Sequence, residues 1–170
     1  MSFTYRTEPL SPQHDRDEFD CGVAVLNHYL QRVASQDQKR RSAVPFVFAE
    51  GQRILGFYTL SSTSVNLESL PESSRKKLPR YPLVPATLIG RLAVDRSARG
   101  KRLGERLLMD AMYRALDASS TVASFAVLVD ALEIEPDPVT FYEQYGFVRL
   151  VSHPRSLYLP MATIAKLPRQ

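Results

Sequence analysis

The chain has 170 residues, of which 44% are hydrophobic, and this length and composition fit one domain with a complete core. Lys and Arg number 22 against 18 Asp and Glu, so the formal charge of +4 permits an anionic partner without requiring one. There is no signal-peptide pattern and no apolar run long enough to span a bilayer, and the single Cys21 excludes an intrachain disulfide and a cysteine-built metal site. We therefore expect a single cytoplasmic domain over residues 1–170.

The first predicted elements are a helix and a hairpin. Asp20 is in position to cap the helix. Apolar residues then recur at helical spacing, at Leu26, Tyr29, Leu30 and Val33. Two strands follow, at 43–50 and 53–65, and the connection Glu50-Gly51-Gln52 between them is typical of a hairpin.

The middle of the chain alternates between strand and helix patterns. Residues 66–85 are rich in proline and cations, which favours a short helix or a loop. The run ATLIGRLAV, 86–94, predicts a central strand because its residues are apolar or β-branched at several positions. From Leu103 apolar residues recur at helical spacing, and 122–129 predicts another buried strand.

The last elements are a short helix and a strand pair. Pro138 suits the first turn of a helix, and Gly146 ends it. The runs 147–151 and 156–161 can pair antiparallel at the end of the sheet. The complete order predicts a mixed α/β (α+β) fold rather than a regular βαβ array.

A basic, glycine-containing run joins the predicted central strand to the next helix; it reads RSARGKRLGERLL at residues 96–108. A helix N-terminus presents unpaired N–H groups, and glycine lets an anion approach that backbone without meeting a Cβ atom. Arg99, Lys101 and Arg102 add positive charge. The spacing matches neither the Walker loop nor the dinucleotide fingerprint. These residues alone leave two interpretations open, a phosphate or pyrophosphate site and an ordinary turn with solvated cations.

Two stretches taken together resemble the GNAT acetyltransferase superfamily; they read LIGRLAVDRSARGKRLGERLL and FYEQYGF. The resemblance implies the GNAT fold, with a central mixed, largely antiparallel sheet flanked by helices. It also implies acetyl-CoA as the co-substrate, with no metal.

In that family a loop with the pattern R/Q-x-x-G-x-G/A binds the pyrophosphate of the coenzyme. Arg99 matches the first position and Gly104 the last, while Arg102 stands where the middle glycine usually lies. We expect a helical φ at Arg102, which arginine tolerates. The resemblance implies the following coenzyme-binding residues: Leu92, Ala93, Val94, Arg99, Gly100, Lys101, Arg102, Leu103, Gly104 and Glu105.

Tyr142 matches the catalytic tyrosine of the family. An ordinary tyrosine has a pKa of about 10 and a thiol about 8.5, so a protonated phenol can hydrogen-bond or donate to a departing thiolate. A core aromatic is the alternative interpretation. Tyr145 is a weaker candidate because it shares a face with Phe141, which we expect to be the core-facing one. Phe141 and Phe147 are interpreted as packing. The thioester carbonyl is expected to be polarised by a backbone N–H, that of Val94.

The likeness extends, from residue 19 to the end, to the GNAT toxins of bacterial toxin–antitoxin pairs. It rests on FDCGVAVLNHYLQRVASQDQKRRSAVPFVFAE, then ILGFYTLSSTSV, then LIGRLAVD. This resemblance implies acetylation of the α-amine of aminoacyl-tRNA, a ribbon-helix-helix antitoxin with an acidic tail, and a homodimer.

A general base is not evident. The histidines at 14, 28 and 153 match no motif, and four acidic residues after the strand 122–129 are either a solvated loop or a substrate entrance: Asp130, Glu133, Glu135 and Asp137. An α-amine has a pKa of about 7.7–8.0, against about 10.4 for lysine, and a neighbouring ester lowers it further. Such an amine needs little or no enzyme base, which fits aminoacyl-tRNA as the acceptor.

Two cationic clusters, Lys39-Arg40-Arg41 and Arg75-Lys76-Lys77 with Arg80, could track a phosphate backbone, and Arg91 and Arg96 could extend that surface. Solvated helix ends and loops are the alternative. Three other functions stay open: an acetyltransferase acting on a small amine, a peptide or a protein amine; a non-catalytic coenzyme A-binding module; and nucleic-acid binding without chemistry.

Overall fold

A computed structural model describes residues 5–169 and contains seven strands. They are β1 (Glu8–Pro9), β2 (Val44–Glu50), β3 (Arg53–Asn66), β4 (Leu83–Val94), β5 (Ala126–Asp130), β6 (Val148–Leu150) and β7 (His153–Pro160). They form one sheet in the order β1-β2-β3-β4-β5-β7-β6. The pairs β1–β2, β2–β3, β5–β7 and β6–β7 are antiparallel. The predicted mixed, largely antiparallel sheet is confirmed, with β4 at its centre.

Six α-helices accompany the sheet in the described part of the chain. They are α1 (Ala24–His28), α2 (Ala34–Arg40), α3 (Glu72–Arg75), α4 (Leu103–Ala118), α5 (Pro138–Gln144) and α6 (Met161–Ile164). A π-helical turn, Tyr29–Val33, joins α1 to α2, and 3-10 turns occupy Leu67–Ser69 and Arg96–Ala98. None of the helices within residues 5–169 has the length and apolar character needed to cross a membrane.

The first helical region departs from the sequence prediction. It begins at Ala24 rather than directly after Asp20, because Gly22 has a left-handed φ of +85°, which a right-handed helix does not admit. The Asp20 carboxylate accepts hydrogen bonds from the Gly22 N–H at 2.8 Å and from Asn27 Nδ2 at 3.0 Å. Asp20 therefore closes the turn before the helix and is not its cap.

The predicted hairpin is confirmed. Glu50 pairs with Arg53, which leaves a two-residue connection, and Gly51 in that connection has a φ of +62°. The rings of Phe46 on β2 and Tyr58 on β3 stack in register, with centroids 5.4 Å apart. The turn at Gly51 and the cross-strand aromatic packing thus favour the same register between β2 and β3.

The chain divides into two compact units, each with its own core. The first comprises residues 5–61, 89–114 and 169 in the described chain. Its core consists of Leu10, Phe19, Cys21, Leu26, Tyr29, Leu30, Ala34, Val47, Ile54, Phe57 and Ala93. Phe57 joins the strand to the helical region, because its ring stacks on Tyr29 and meets Phe19 edge to face.

The second unit comprises residues 62–88 and 115–168. Its core consists of Val65, Leu70, Val84, Ala86, Ala126, Leu128, Leu150 and Tyr158. The Tyr158 hydroxyl also hydrogen-bonds Ser74 Oγ at 2.7 Å, which fixes the short helix α3. This unit carries α5 and therefore Tyr142.

The predicted apolar face of α4 is largely confirmed. Six of the apolar residues at helical spacing are buried: Leu103, Leu107, Leu108, Ala111, Met112 and Ala115. Leu116 is only half-buried.

Candidate active site

The 95–102 loop carries the chain from the end of β4 into α4. Arg99 leaves the 3-10 turn with extended backbone, and Gly100 and Arg102 then take left-handed φ angles of +80° and +57°. The expectation of a helical φ at Arg102 is therefore wrong, because a left-handed residue is needed to turn this loop into α4. Glycine adopts this region without the steric cost that arginine meets.

The start of α4 offers unpaired hydrogen-bond donors. The Arg106 N–H donates to the Arg102 carbonyl oxygen at 3.2 Å and makes the first hydrogen bond of the helix. The N–H groups of Leu103, Gly104 and Glu105 precede it and have no backbone acceptor among residues 5–169, as expected of a helix N-terminus. A side chain at Gly100 would meet nothing within 4 Å, so the loop is open at this point. Such a terminus suits a phosphate-bearing ligand.

The cations of the 95–102 loop differ in their surroundings. Arg99 donates from Nη2 to the Cys21 carbonyl oxygen at 2.8 Å, and Arg96 forms an ion pair with Asp20 at 3.7 Å. Lys101 and Arg102 are exposed. Lys101 and Arg102 therefore offer their charge to solvent or to a ligand, while Arg96 and Arg99 also hold the loop in place.

The strand before the loop follows the expected alternation. Ala93 is buried in the core of the first unit, whereas Leu92 and Val94 are half-buried and point to the other face of β4. The Asp95 N–H donates to the Leu55 carbonyl oxygen at 2.8 Å, so the end of β4 is held by β3.

Tyr142 lies on the buried side of α5. Asp137 caps this helix by accepting the Val139 N–H at 3.1 Å, Pro138 occupies its first turn, and Gly146 follows its end with a φ of +91°. Tyr142 is 8% exposed, and its ring meets that of Phe147 edge to face with centroids 5.6 Å apart.

The Tyr142 hydroxyl has no hydrogen-bond partner among residues 5–169, although every fully buried side-chain N or O atom in that range has one. The oxygen therefore reaches the surface while the ring is buried. Burial raises the pKa of Tyr142 to about 12. The phenol is neutral throughout the physiological range and has a free O–H to donate.

The neighbouring aromatic residues correct one expectation. Phe141 and Tyr145 share a face, with ring centroids 5.2 Å apart, but both are only half-buried. The core-facing side of α5 is instead that of Tyr142, because its ring packs against Phe147, which is 3% exposed. The interpretation of Phe147 as a packing residue is confirmed.

The family is shown by comparison with known proteins. The model of the acetyltransferase (GNAT) domain matches residues 41–149, more than half of the chain. The chain belongs to the GNAT acetyltransferase family. It is accordingly an N-acetyltransferase, as the two sequence motifs implied.

Two relatives of this GNAT acetyltransferase are named as toxins. It is 32% identical to "Probable toxin TacT" of Sinorhizobium fredii over 94% of this chain and 93% of that protein. It is 34% identical to "tRNA-acetylating toxin" of Mycobacterium tuberculosis over 89% of each chain.

Solved structures agree with this grouping. AtaT complexed with acetyl-methionyl-tRNAfMet superposes with a TM-score of 0.85 at 30% identity, covering 94% of this chain and 96% of that one. AtaTR bound with acetyl-CoA superposes with a TM-score of 0.80 at 30% identity, covering 94% and 95%. The GNAT fold is thus confirmed over nearly the whole chain.

Two of the four acidic residues at the end of β5 and after it are held by hydrogen bonds within the acetyltransferase. Asp137 accepts two hydrogen bonds from the Arg155 guanidinium, at 3.0 and 3.1 Å, and Arg155 lowers the pKa of this carboxyl. Asp130 accepts a hydrogen bond from Ser156 at 2.6 Å. Glu133 and Glu135 are exposed.

The histidines have no arrangement typical of a general base. His14 uses both ring nitrogens, one with Ser11 and one with Glu8. His28 and His153 are exposed. Across the described residues no group of three or more His, Cys, Asp or Glu side chains could hold a metal ion.

The two predicted cationic clusters are both exposed and belong to different units. Lys39 and Arg40 end α2, and Arg41 follows with a left-handed φ of +60°. Arg75-Lys76-Lys77 ends α3 and the turn after it, with Arg80 beyond. Arg91 is half-buried, and its guanidinium lies 3.7 Å from the centroid of the Tyr29 ring. Such stacking holds the guanidinium plane in place and keeps its charge.

Two residues, one in the 95–102 loop and one against it, were missed by the sequence analysis. Asp95 is 4% exposed and accepts hydrogen bonds from Asp20 and Ser97, and Gly22 lies against Arg96 and Arg99. The only available signals were an aspartate directly after LAV and the glycine of FDCG.

Proposed function

We propose that this GNAT acetyltransferase transfers the acetyl group of acetyl-CoA to the α-amine of aminoacyl-tRNA and so acts as a cytoplasmic toxin that blocks translation. The observation that carries the proposal is the likeness, over 94% of the chain, to AtaT solved with acetyl-methionyl-tRNAfMet. The residue roles given below are part of the same proposal.

The coenzyme is assigned to the 95–102 loop and the start of α4. The free N–H groups of residues 103–105 and the exposed charges of Lys101 and Arg102 suit a pyrophosphate. The open space at Gly100 supports this fit, because no Cβ blocks the backbone there. The backbone of Leu92, Ala93 and Val94 is assigned to pair with the pantetheine amides. The Val94 N–H is assigned to polarise the acetyl carbonyl.

Tyr142 is assigned to the departing sulfur. Acetyl-CoA supplies the activated acetyl thioester, and the Tyr142 O–H stabilises the sulfur that leaves. With a Tyr142 pKa of about 12 and a thiol near 8.5, full proton transfer is uphill by about 5 kcal/mol. The ordinary pKa values of about 10 for a tyrosine and about 8.5 for a thiol imply a smaller difference. Tyr142 therefore acts chiefly as a hydrogen-bond donor, and a proton from solvent can complete the thiol.

The acceptor amine needs no base from the chain. At pH 7.5, an α-amine with a pKa of about 7.7–8.0 is about a quarter to two fifths neutral, whereas a lysine is neutral in about one molecule in a thousand. The ester of aminoacyl-tRNA increases the neutral fraction further. The lack of a base-like histidine arrangement within residues 5–169 is consistent with such an acceptor.

The partners follow from the same proposal. The exposed clusters at 39–41 and 75–77 are assigned to the tRNA backbone, together with Arg91. The toxin AtaT has been solved bound to the C-terminus of its antitoxin AtaR. We assign an equivalent antitoxin to this chain, of the ribbon-helix-helix class, and a homodimeric state of a single-domain protein.

The test is acetyl transfer from labelled acetyl-CoA to a pool of charged tRNAs, with uncharged tRNA, a polyamine and a peptide as competing acceptors. Label on the charged tRNAs, lost after Tyr142→Phe and retained after Tyr145→Phe, is the expected result. Label on the polyamine or peptide alone would show that one of these, and not aminoacyl-tRNA, is the acceptor. Binding of acetyl-CoA without transfer to any acceptor would leave a non-catalytic module.

A further inference from the structure

The segment Asp20-Cys21-Gly22 lies directly against the 95–102 loop, although the two are far apart in sequence. The Arg99 guanidinium donates to the Cys21 carbonyl oxygen at 2.8 Å. The Arg96 N–H donates to the Asp20 carbonyl oxygen at 2.9 Å, and the Arg96 side chain lies 3.7 Å from the Asp20 carboxylate. Backbone and side chains of the loop are thus both tied to the segment.

The buried Asp95 carboxylate also connects the segment Asp20-Cys21-Gly22 to the 95–102 loop. One of its carboxylate oxygens accepts the Asp20 N–H at 2.9 Å. The other accepts the N–H and the hydroxyl of Ser97, at 3.0 and 2.6 Å, and lies 3.6 Å from the Arg53 guanidinium. Because the side chain is buried, these charge-assisted hydrogen bonds are strong, and losing one leaves a donor without a partner.

Gly22 is the position where the segment fits beneath the loop. Its φ of +85° lies in the region that favours glycine. A Cβ at this position would lie 2.8 Å from Arg99 Nη2 and 3.2 Å from Arg96 Nε. Any other residue at 22 would therefore strain the backbone and push both arginine side chains away from their present contacts.

We propose that Gly22 and Asp95 are positioning residues for the coenzyme's pyrophosphate, which they serve by holding the 95–102 loop in its binding conformation. The inference rests on the proposed function. The loop reaches α4 through two left-handed residues, Gly100 and Arg102, and its hydrogen bonds to Asp20 and Cys21 hold it against the segment. A loop that is already ordered before binding does not spend binding energy on ordering. Arg99 acts here as a structural tie as well as a charge.

The test separates the pyrophosphate from the rest of the coenzyme by comparing acetyl-CoA with acetyl-pantetheine, which has no pyrophosphate. Asp95→Asn and Gly22→Ala are each expected to raise the KM for acetyl-CoA about tenfold, the loss typical of one charge-assisted hydrogen bond, with kcat nearly unchanged. Activity with acetyl-pantetheine should stay at the wild-type level. Ser97→Ala, at an exposed residue, removes one bond to Asp95 and covers the case that both other variants fail to fold.

The matched control is Asp110→Asn. Asp110 is 2% exposed, lies in the same unit, and accepts hydrogen bonds from the Arg6 N–H and the Tyr58 hydroxyl, none of which belong to the 95–102 loop. This variant should lose thermal stability while the ratio of the two KM values stays at the wild-type value.

Equal losses with both acetyl donors, or no loss with either, would overturn the positioning role. A wild-type protein that binds no acetyl-CoA in calorimetry would instead overturn the proposed function.

Discussion

The ring of Tyr142 meets the ring of Phe147 edge to face, 5.6 Å between centroids, and this contact buries the phenol while its hydroxyl stays free of partners in the described chain. Edge-to-face packing fixes the plane of the ring and therefore the position of the phenol oxygen. A catalytic donor needs such fixed geometry more than it needs a shifted pKa.

Tyr142→Phe removes the hydroxyl and keeps the packing. We expect kcat to fall by about 10²-fold or more, the range typical of a lost hydrogen-bond donor to the developing charge, with the Kd for acetyl-CoA and the Tm close to wild type. Single-turnover transfer and calorimetry measure these quantities. Tyr145→Phe is the control on the same helix and should retain activity. Equal activity of Tyr142→Phe and the wild type would remove Tyr142 from the mechanism.

The pH dependence of the reaction should report the acceptor and not the tyrosine. The pKa of Tyr142 is raised to about 12, so its neutral form, which donates, persists at every pH below that value. Between pH 6 and 9 we expect kcat/KM to rise through the pKa of the aminoacyl amine and to show no fall from tyrosine ionisation. A falling limb in this window that disappears in Tyr142→Phe would contradict the assignment.

Arg102→Gly should stabilise the protein. Arginine in the left-handed region costs about 1 kcal/mol relative to glycine, and for a chain of this size that free energy corresponds to a Tm change of about 2–4 °C. Differential scanning calorimetry measures the change. Arg106→Gly, which removes the same side chain inside α4, should lower Tm because glycine weakens a helix. A lower Tm for Arg102→Gly would show that the guanidinium contributes more than the backbone costs.

The cluster at the end of α2 can be tested through salt dependence. Lys39→Ala and Arg40→Ala should each raise the KM for aminoacyl-tRNA and reduce the slope of log KM against log salt by about one. Acetylation of a small amine should not change. Arg106→Ala removes an exposed cation outside the cluster and is the control. Unchanged salt slopes would leave Lys39 and Arg40 as ordinary cations at a helix C-terminus.

Asp95 should also govern acid stability. Burial by itself would raise the pKa of Asp95, but hydrogen bonds from Ser97 and Asp20 and the charge of Arg53 outweigh it and hold the pKa below its usual value. The resulting stabilisation is complete above the ordinary carboxyl pKa of about 3.9 and is lost as pH falls through the lower folded value. Asp95→Asn should therefore be less stable than wild type at pH 7 by about 1–3 kcal/mol, and the gap should narrow below about pH 4. Urea unfolding across this range measures both free energies, and a constant gap would contradict the assignment.

Local signals in the sequence predicted much of the fold. The hairpin at Gly51 and the helix from Leu103 depend on neighbouring residues, and both appear as expected. Strand β1 was not predicted, because Glu8 and Pro9 are extended only through pairing with Val47 and Phe46. The π-helical turn Tyr29–Val33 was not predicted either, and its first residue, Tyr29, stacks on Phe57, which is distant in sequence.

Candidate site residues could be named from the sequence where a motif is contiguous. Tyr142 and the 95–102 loop were proposed from short stretches, whereas the contacts of Gly22 and Asp95 join residues about 75 positions apart. The left-handed φ of Arg102 was missed because arginine rarely adopts this conformation, whereas a glycine at this position would have indicated it.

The most direct test of acetyl transfer to aminoacyl-tRNA is mass spectrometry of the terminal aminoacyl-adenosine, released by nuclease after incubation of charged tRNA with acetyl-CoA and the protein. We predict an N-acetylated aminoacyl-adenosine with the wild type and an unmodified one with Tyr142→Phe. Consumption of acetyl-CoA with every aminoacyl-adenosine unmodified would contradict the account.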